Sequence, residues 1–199
     1  MAERIRSTLP IATVVARAAH RNIRQIARRA VPALADFVVV FMVTGRSIVG
    51  IASAHATPAG DKLLRSLQRV YRVSRDNLQS TVAQVVRTGQ PSLRRTITHE
   101  AANGGPPGSV ADIHRRLACR SALVLPMCVG EIVTGAVSLC YAQSGRTYAR
   151  ADLAGARRIA REIARLTAPP LPHAAPRLRA PTGDARRDAS VRRRVAPRN

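Results

Sequence analysis

Two stretches constrain this chain more than anything else in it. "FVVVFMVTGRSIVGIASAH" (37–55) and "RSALVLPMCVGEIVTGAVSLCYA" (120–142) each hold two apolar, β-branched runs around a turn, at Gly45-Arg46 in the first and Val129-Gly130-Glu131 in the second. Such pairs read as antiparallel hairpins. The second is apolar on both faces, so the sheet it joins must be covered on both sides.

Amphipathic helices are available as the covering layers. At about 100° per residue, Ile11, Val15, Ala19, Ile23, Ile26 and Ala30 fall on one face of a first helix, with Arg17, Arg21, Arg24 and Arg28 opposite. "ARADLAGARRIAREIARL" repeats the design, placing Leu153, Ala156, Ile159, Ala160, Ile163 and Leu166 against Arg157, Arg158, Arg161 and Arg165. "DKLLRSLQRVYRV" and "NLQSTVAQVVRTG" also show helical spacing, the latter ending at Gly89, where a left-handed cap is expected. "SLRRTI" reads as a short strand. "NGGPPGSV" (103–110) reads as an irregular lid or linker, because a phosphate loop would need a strand before it and G-K-[ST] leading into a helix after it.

With 199 residues and 46% hydrophobic content, the chain suits one domain that buries roughly 70% of its unfolded surface, plus extensions. From Pro169 on, six prolines and eight arginines without an aromatic residue predict disorder; such a segment should be dispensable for folding. The longest strongly apolar run, Phe37 to Val43, is far short of the roughly 20 residues that cross a bilayer, and no apolar signal-peptide core follows Met1. Neither a transmembrane segment nor secretion is predicted.

The net charge of +22 is almost all arginine, Lys62 being the single lysine among 33 basic residues. Such a field attracts polyanions, nucleic acid or anionic membrane, but it fades over about 8 Å at physiological salt and carries no specificity. With only 3% aromatic residues, the chain lacks the stacking groups of single-strand readers.

The order helix, hairpin, helices, strand, loop, hairpin, helix resembles a GAF domain, a PAS-like sensory module, and three stretches carry the resemblance. "ARRAVPALADFVVV" (27–40) is similar to the family's entry into its first strand. "VAQVVRTGQP" (82–91) is similar to its "vrtGqP" segment. "RSALVLPMCVGEIVTGAVSL" (120–139) is similar to its "S-x-L-x-V-P-[IL]…G-x-x-x-G-x-[IL]-x-[IL]" hairpin. The resemblance implies an α/β (α+β) fold, an antiparallel sheet with the terminal helices on one face and the short helices and the 98–110 loop over a pocket on the other. It divides the chain into an N-terminal helical extension (1–19), a GAF-like domain (20–167) and the Pro/Arg-rich tail (168–199).

Candidate chemistry is sparse. Cys119, Cys128 and Cys140 are separated by eight and eleven residues, whereas a metal knuckle brings thiolates together across short gaps such as C-x₂-C. Cys128 and Cys140 fall in or at the ends of predicted strands, where a free cysteine acts as a small apolar side chain. Without paired cysteines a reducing, cytoplasmic compartment is expected. Cys119 precedes Arg120, a neighbour that lowers a thiol pKa. Some GAF proteins are free methionine-(R)-sulfoxide reductases with cysteines in the loops around the pocket, and others attach a bilin through cysteine; neither pattern is met. His20, His55, His99 and His114 form no H-x₃-H pair and carry no haem signature. Where cyclic-nucleotide-binding relatives have Asn-Lys and then Phe-x₃-Asp-Glu, this chain has Tyr141-Ala142 and then Tyr148, Asp152 and Leu153, so only an aromatic and the aspartate match.

The expectation is therefore a non-catalytic sensory or regulatory protein of bacterial signal transduction that binds a small ligand, a protein partner or both. His55, Arg120, Ser121 and Gly135 are the candidates near the pocket, with no catalytic residue or metal ligand assigned; the cofactor is left unknown, since no metal, haem or bilin signature is recognised. The family implies a homodimer through the terminal helices, and an output carried by a separate signalling protein. A polyanion-binding protein is the first alternative, a thiol-dependent enzyme of the sulfoxide reductase type the second.

Overall fold

The computed structural model describes residues 11–98 and 106–167, with side chains from Ala19 onward. Eleven main elements follow in order: α1 (Ile11–Arg29), β1 (Phe37–Thr44), β2 (Ser47–His55), α2 (Pro58–Val70), β3 (Arg72–Ser74), α3 (Thr81–Thr88), β4 (Ser92–Arg94), α4 (Val110–Leu117), β5 (Ser121–Val129), β6 (Ile132–Tyr141) and α5 (Leu153–Thr167). The six strands form one antiparallel sheet in the order β3-β2-β1-β6-β5-β4. The expected disorder of 168–199 and the candidate His99 lie outside the described residues.

Strand alternation sends successive side chains to opposite faces, and here it builds two cores. Val38 and Val40 of β1, with Leu123, Leu125, Val137 and Leu139, meet Ile23, Ile26, Ala27 and Ala30 of α1 and Ala156, Ala160, Ile163 and Ala164 of α5. Phe37, Val39 and Phe41 point the other way, with Val124, Ala136 and Cys140, and meet Leu64 and Leu67 of α2, Val82, Val85 and Val86 of α3 and Ile113 and Leu117 of α4. The terminal helices thus share one face, and the short helices the other.

Both hairpin turns lie where glycine places them, at Gly45 (φ 59°) and Gly130 (φ 60°). Gly135 answers a different need. A Cβ there would sit 2.1 Å from the Phe41 carbonyl oxygen and 2.5 Å from Met127 Cε, so the glycine admits a neighbouring backbone. Pro126 pairs with Ala136 on the β6 side, while β4 pairs with β5 only at Ala122, Leu123 and Val124, so the proline lies on an unpaired outer edge, beside a bulge between Met127 and Cys128.

The structure differs from the sequence reading at two places. The helical spacing of "DKLLRSLQRVYRV" stops at Val70, and Arg72–Ser74 become β3, because Ser47, Ile48 and Val49 offer a strand edge that local periodicity does not register. The 103–110 stretch is followed by α4, which begins at Val110: the Ser109 side chain accepts from the Asp112 amide, and the Asp112 carboxylate accepts from Gly108 N at 2.9 Å.

Candidate functional site

The four candidate residues do not converge. His55 ends β2 opposite Phe37, which pairs on its other side with Cys140. Ser121 starts β5 opposite Tyr141, one row away, and Arg120 precedes it. Gly135, between Met42 and Met127, lies towards the opposite end of the sheet.

His55 and Ser121 spend their polar groups on the fold. The His55 ring stacks on Phe37 with centroids 5.6 Å apart, and its Nδ1 accepts from the Thr57 amide at 2.9 Å. A Cβ on Gly60 would fall 2.2 Å from the ring, so the first turn of α2 presses directly on the imidazole. Burial lowers the His55 pKa below its usual 6.5, and the carboxylates of Asp61 and Asp36 oppose that shift without overturning it. Ser121 is fully buried; its hydroxyl donates to the Arg94 carbonyl and accepts from the Tyr148 amide, each at 3.0 Å. The Arg120 side chain is exposed, while its backbone bonds Tyr141 and Ile97.

Two buried carboxylates organise this end of the molecule, and neither was singled out in the sequence as a candidate. Asp61 Oδ1 accepts from the His55 amide at 2.8 Å, and Oδ2 faces three guanidinium groups, Arg28 at 2.9 Å, Arg24 at 3.5 Å and Arg65 at 4.0 Å. Its local signal is the Thr57-Pro58 start of α2, with the Thr57 side chain as cap, proline in the first turn and an acid close behind. The ridge arginines Arg24 and Arg28 are therefore engaged by a neighbouring helix. Asp36, just before β1, accepts from Ala142 N at 2.7 Å and Ser144 N at 2.9 Å, with Arg146 3.7 Å away. Burial pushes its pKa up, but the amides of Ser144 and Ala142 outweigh that and hold it below the usual carboxylate value.

The thiols answer the question of chemistry. Cys119 and Cys140 come together despite their separation in sequence, and hydrogen bonding to Cys140 followed by burial pushes the Cys119 pKa up, opposite to the effect expected of Arg120. Cys119 Sγ donates to the Ser121 carbonyl at 3.4 Å, and Cys140 Sγ lies 3.4 Å from Ser138 Oγ. Cys128 is exposed. Among the described residues no three His, Cys, Asp or Glu side chains gather in a metal-binding group, and no helix is long and apolar enough to cross a membrane.

A cleft of 730 Å³ opens between α1 and α5 and is lined by Asn22, Gln25, Ile26, Arg28, Arg29, Glu162, Arg165 and Leu166. Arg29 and Glu162 form an ion pair across it. Another cleft, of 240 Å³, lies where β2 runs between α1 and α2.

Solved structures with a similar fold include the GAF domain/HD domain protein from Geobacter sulfurreducens (17% identity, TM-score 0.53, covering 76% of this chain and 90% of that one). The GAF-B domain of DevS from Mycobacterium smegmatis is similar at 17% identity and TM-score 0.51, covering 74% and 91%. A type II free methionine-R-sulfoxide reductase from Thermoplasma acidophilum is similar at 11% identity and TM-score 0.53, covering 76% and 93%. No curated protein sequence matches the chain. Residues 19–166 match the family model of the GAF domain, in agreement with the single sheet covered by helices on both faces, and the chain belongs to the GAF domain family.

Proposed function

We propose that this chain is a non-catalytic sensory or regulatory module, in which a small ligand or protein partner met by the short-helix layer shifts the arrangement of α1 and α5. The module acts as a homodimer through those helices and passes its signal to a separate output protein. The observation that carries the reading is the placement of both terminal helices on one sheet face, with an open cleft between them. Strands contribute side chains alternately to the two cores, which gives a contiguous packed route along which the two faces can be coupled. Sedimentation at micromolar concentration tests the dimer: the wild type should associate more strongly as salt screens its arginine ridges, and Val15→Glu should weaken association while the sheet stays folded. A monomer at both low and high salt overturns it.

The thiol-enzyme alternative loses support from Cys119, whose raised pKa leaves it protonated and weakly nucleophilic at neutral pH. Iodoacetamide should label exposed Cys128 readily, partly buried and protonated Cys119 far more slowly, and buried Cys140 only on unfolding. Rapid labelling of native Cys119, with a methionine sulfoxide reductase activity lost in Cys119→Ser, would reinstate the enzyme. Native mass spectrometry of protein purified from its own source would identify a bound ligand directly.

A further inference from the structure

We propose that the cleft at the open edge of β2 is a binding site for a small phosphate-bearing dianion, the free ion or a monoester of a small alcohol. β3 covers β2 only at Ser47, Ile48 and Val49, so from Gly50 onward the strand is the edge of the sheet. There α1 contributes Arg21 and Arg24, β2 contributes Ser53, and α2 contributes Arg65 and Gln68 to one cleft of 240 Å³. That is smaller than the roughly 300–1,000 Å³ of sites for drug-sized ligands, which favours a phosphate with few attached atoms over a nucleotide.

The charge in the cleft is unbalanced. Asp61 is the carboxylate facing these guanidinium groups, and Arg28 holds it at 2.9 Å, leaving Arg24 at 3.5 Å and Arg65 at the 4.0 Å limit of an ion pair. Arg21 makes no ion pair among the described residues. Planar guanidinium forks approaching from two helices suit an oxyanion with acceptors on several sides.

A second, independent observation points the same way. Gln68 Nε2 is buried and has no hydrogen-bond partner, a state that folded proteins seldom leave without an explanation. Its position is set by the strand, since a Cβ on Gly50 would come within 3.3 Å of Gln68 Cγ. Gln68 lines the cleft, and a turn of its side-chain amide towards an oxyanion seated among the arginines would give this orphan donor an acceptor.

The inference is independent of the sensory reading, and the test needs only the full chain. Inorganic phosphate is titrated at constant ionic strength, balanced with sodium chloride, while amide resonances are followed by NMR. Saturable shifts should concentrate at the Gln68 side-chain amide and the backbone amides of Gly50 and Ser53. Gln68→Leu, which leaves the charge unchanged, should weaken binding about tenfold, as expected for losing a hydrogen bond to a charged group. Gln68→Glu, which gives the arginines a carboxylate of their own, should abolish it. Glycerol phosphate binding as well as the free ion assigns a monoester site, and free phosphate binding alone assigns an ion site. Dimethyl phosphate binding equally well would overturn the dianion assignment in favour of a diester backbone. Shifts that do not saturate, that spread over the arginine surfaces at large, or that persist unchanged in both Gln68 variants would overturn the site.

Discussion

The two faces of the sheet are held in different ways. On the α1/α5 face the helices approach the sheet through small side chains, Ala27, Ala30, Ala156, Ala160 and Ala164, around larger anchors such as Ile23 and Ile163; that attachment to the sheet is apolar, and the Arg29–Glu162 ion pair joins the two helices at their outer cleft. On the other face the core is just as buried, but the start of α2 is also fastened by polar bonds: the Thr57 cap, the His55 ring under Gly60, and Asp61 between the His55 amide and the arginines of α1. Apolar packing is indifferent to pH. A histidine whose pKa burial lowers is not.

The largest effect that would sharpen this contrast is Ile163→Ala on the apolar face. The side chain is fully buried, and its truncation should cost about 3 kcal/mol by lost transfer energy and a residual cavity. Urea unfolding should show the same loss at pH 5.5 and pH 8; a pH-dependent loss would break the comparison. Next comes Asp61→Asn, which removes the charge that gathers Arg28, Arg24 and Arg65 and should cost about 2 kcal/mol, the scale of hydrogen bonds to charged groups. Hydrogen exchange should rise first in α2, and a uniform rise across all helices would contradict local fastening.

A smaller and more diagnostic effect is the pH slope of His55. Its folded pKa is depressed below 6.5, so the unfolded chain takes up the proton first as pH falls. The contribution is fully present above pH 6.5 and is lost as the pH drops below it towards the folded pKa. Replacing His55 by Phe keeps a ring against Phe37 and should cost about 1 kcal/mol near neutrality for the lost Nδ1 bond, while flattening the stability profile below pH 6.5. An unchanged slope would assign the titration elsewhere. The smallest effect belongs to the Arg46–Asp76 pair, whose side chains are 90% and 65% exposed. Arg46→Ala should leave the unfolding midpoint unmoved within error.

Much of this architecture was legible in the residues because the signals are local. The two hairpins announce themselves by apolar runs around glycine turns, Gly89 caps α3 in the left-handed conformation (φ 66°), and the alternation of β1 and β6 supplies both cores. What escaped depends on partners distant in sequence. β3 exists because β2 offers it an edge, and α4 is only eight residues long beside a Gly/Pro-rich stretch. Asp61 gains its role when α1 comes to lie beside α2. His55 and Ser121 were read as pocket candidates, yet their polar atoms serve a helix start and a strand junction, and Arg120 faces solvent. Sequence patterns identify polar residues readily, but not which neighbours will consume their hydrogen bonds.

The strand order also bears on how the chain must be assembled in time. β1 and β6, the first and last strands, lie side by side at the centre of the sheet, tied at one end by the Ala142 amide on Asp36 across a separation of 106 residues. Each hairpin can close within microseconds, but the seam between them waits for one of the longest loops in the domain. Closing a loop of that length carries a high entropic barrier before any contact rewards it. On a ribosome, β1 would emerge with β2 and keep its inner edge unpaired until β6 had been synthesised. The centre of the finished sheet is thus the last part of it to form, and nascent chains spend their vulnerable interval with that apolar edge uncovered.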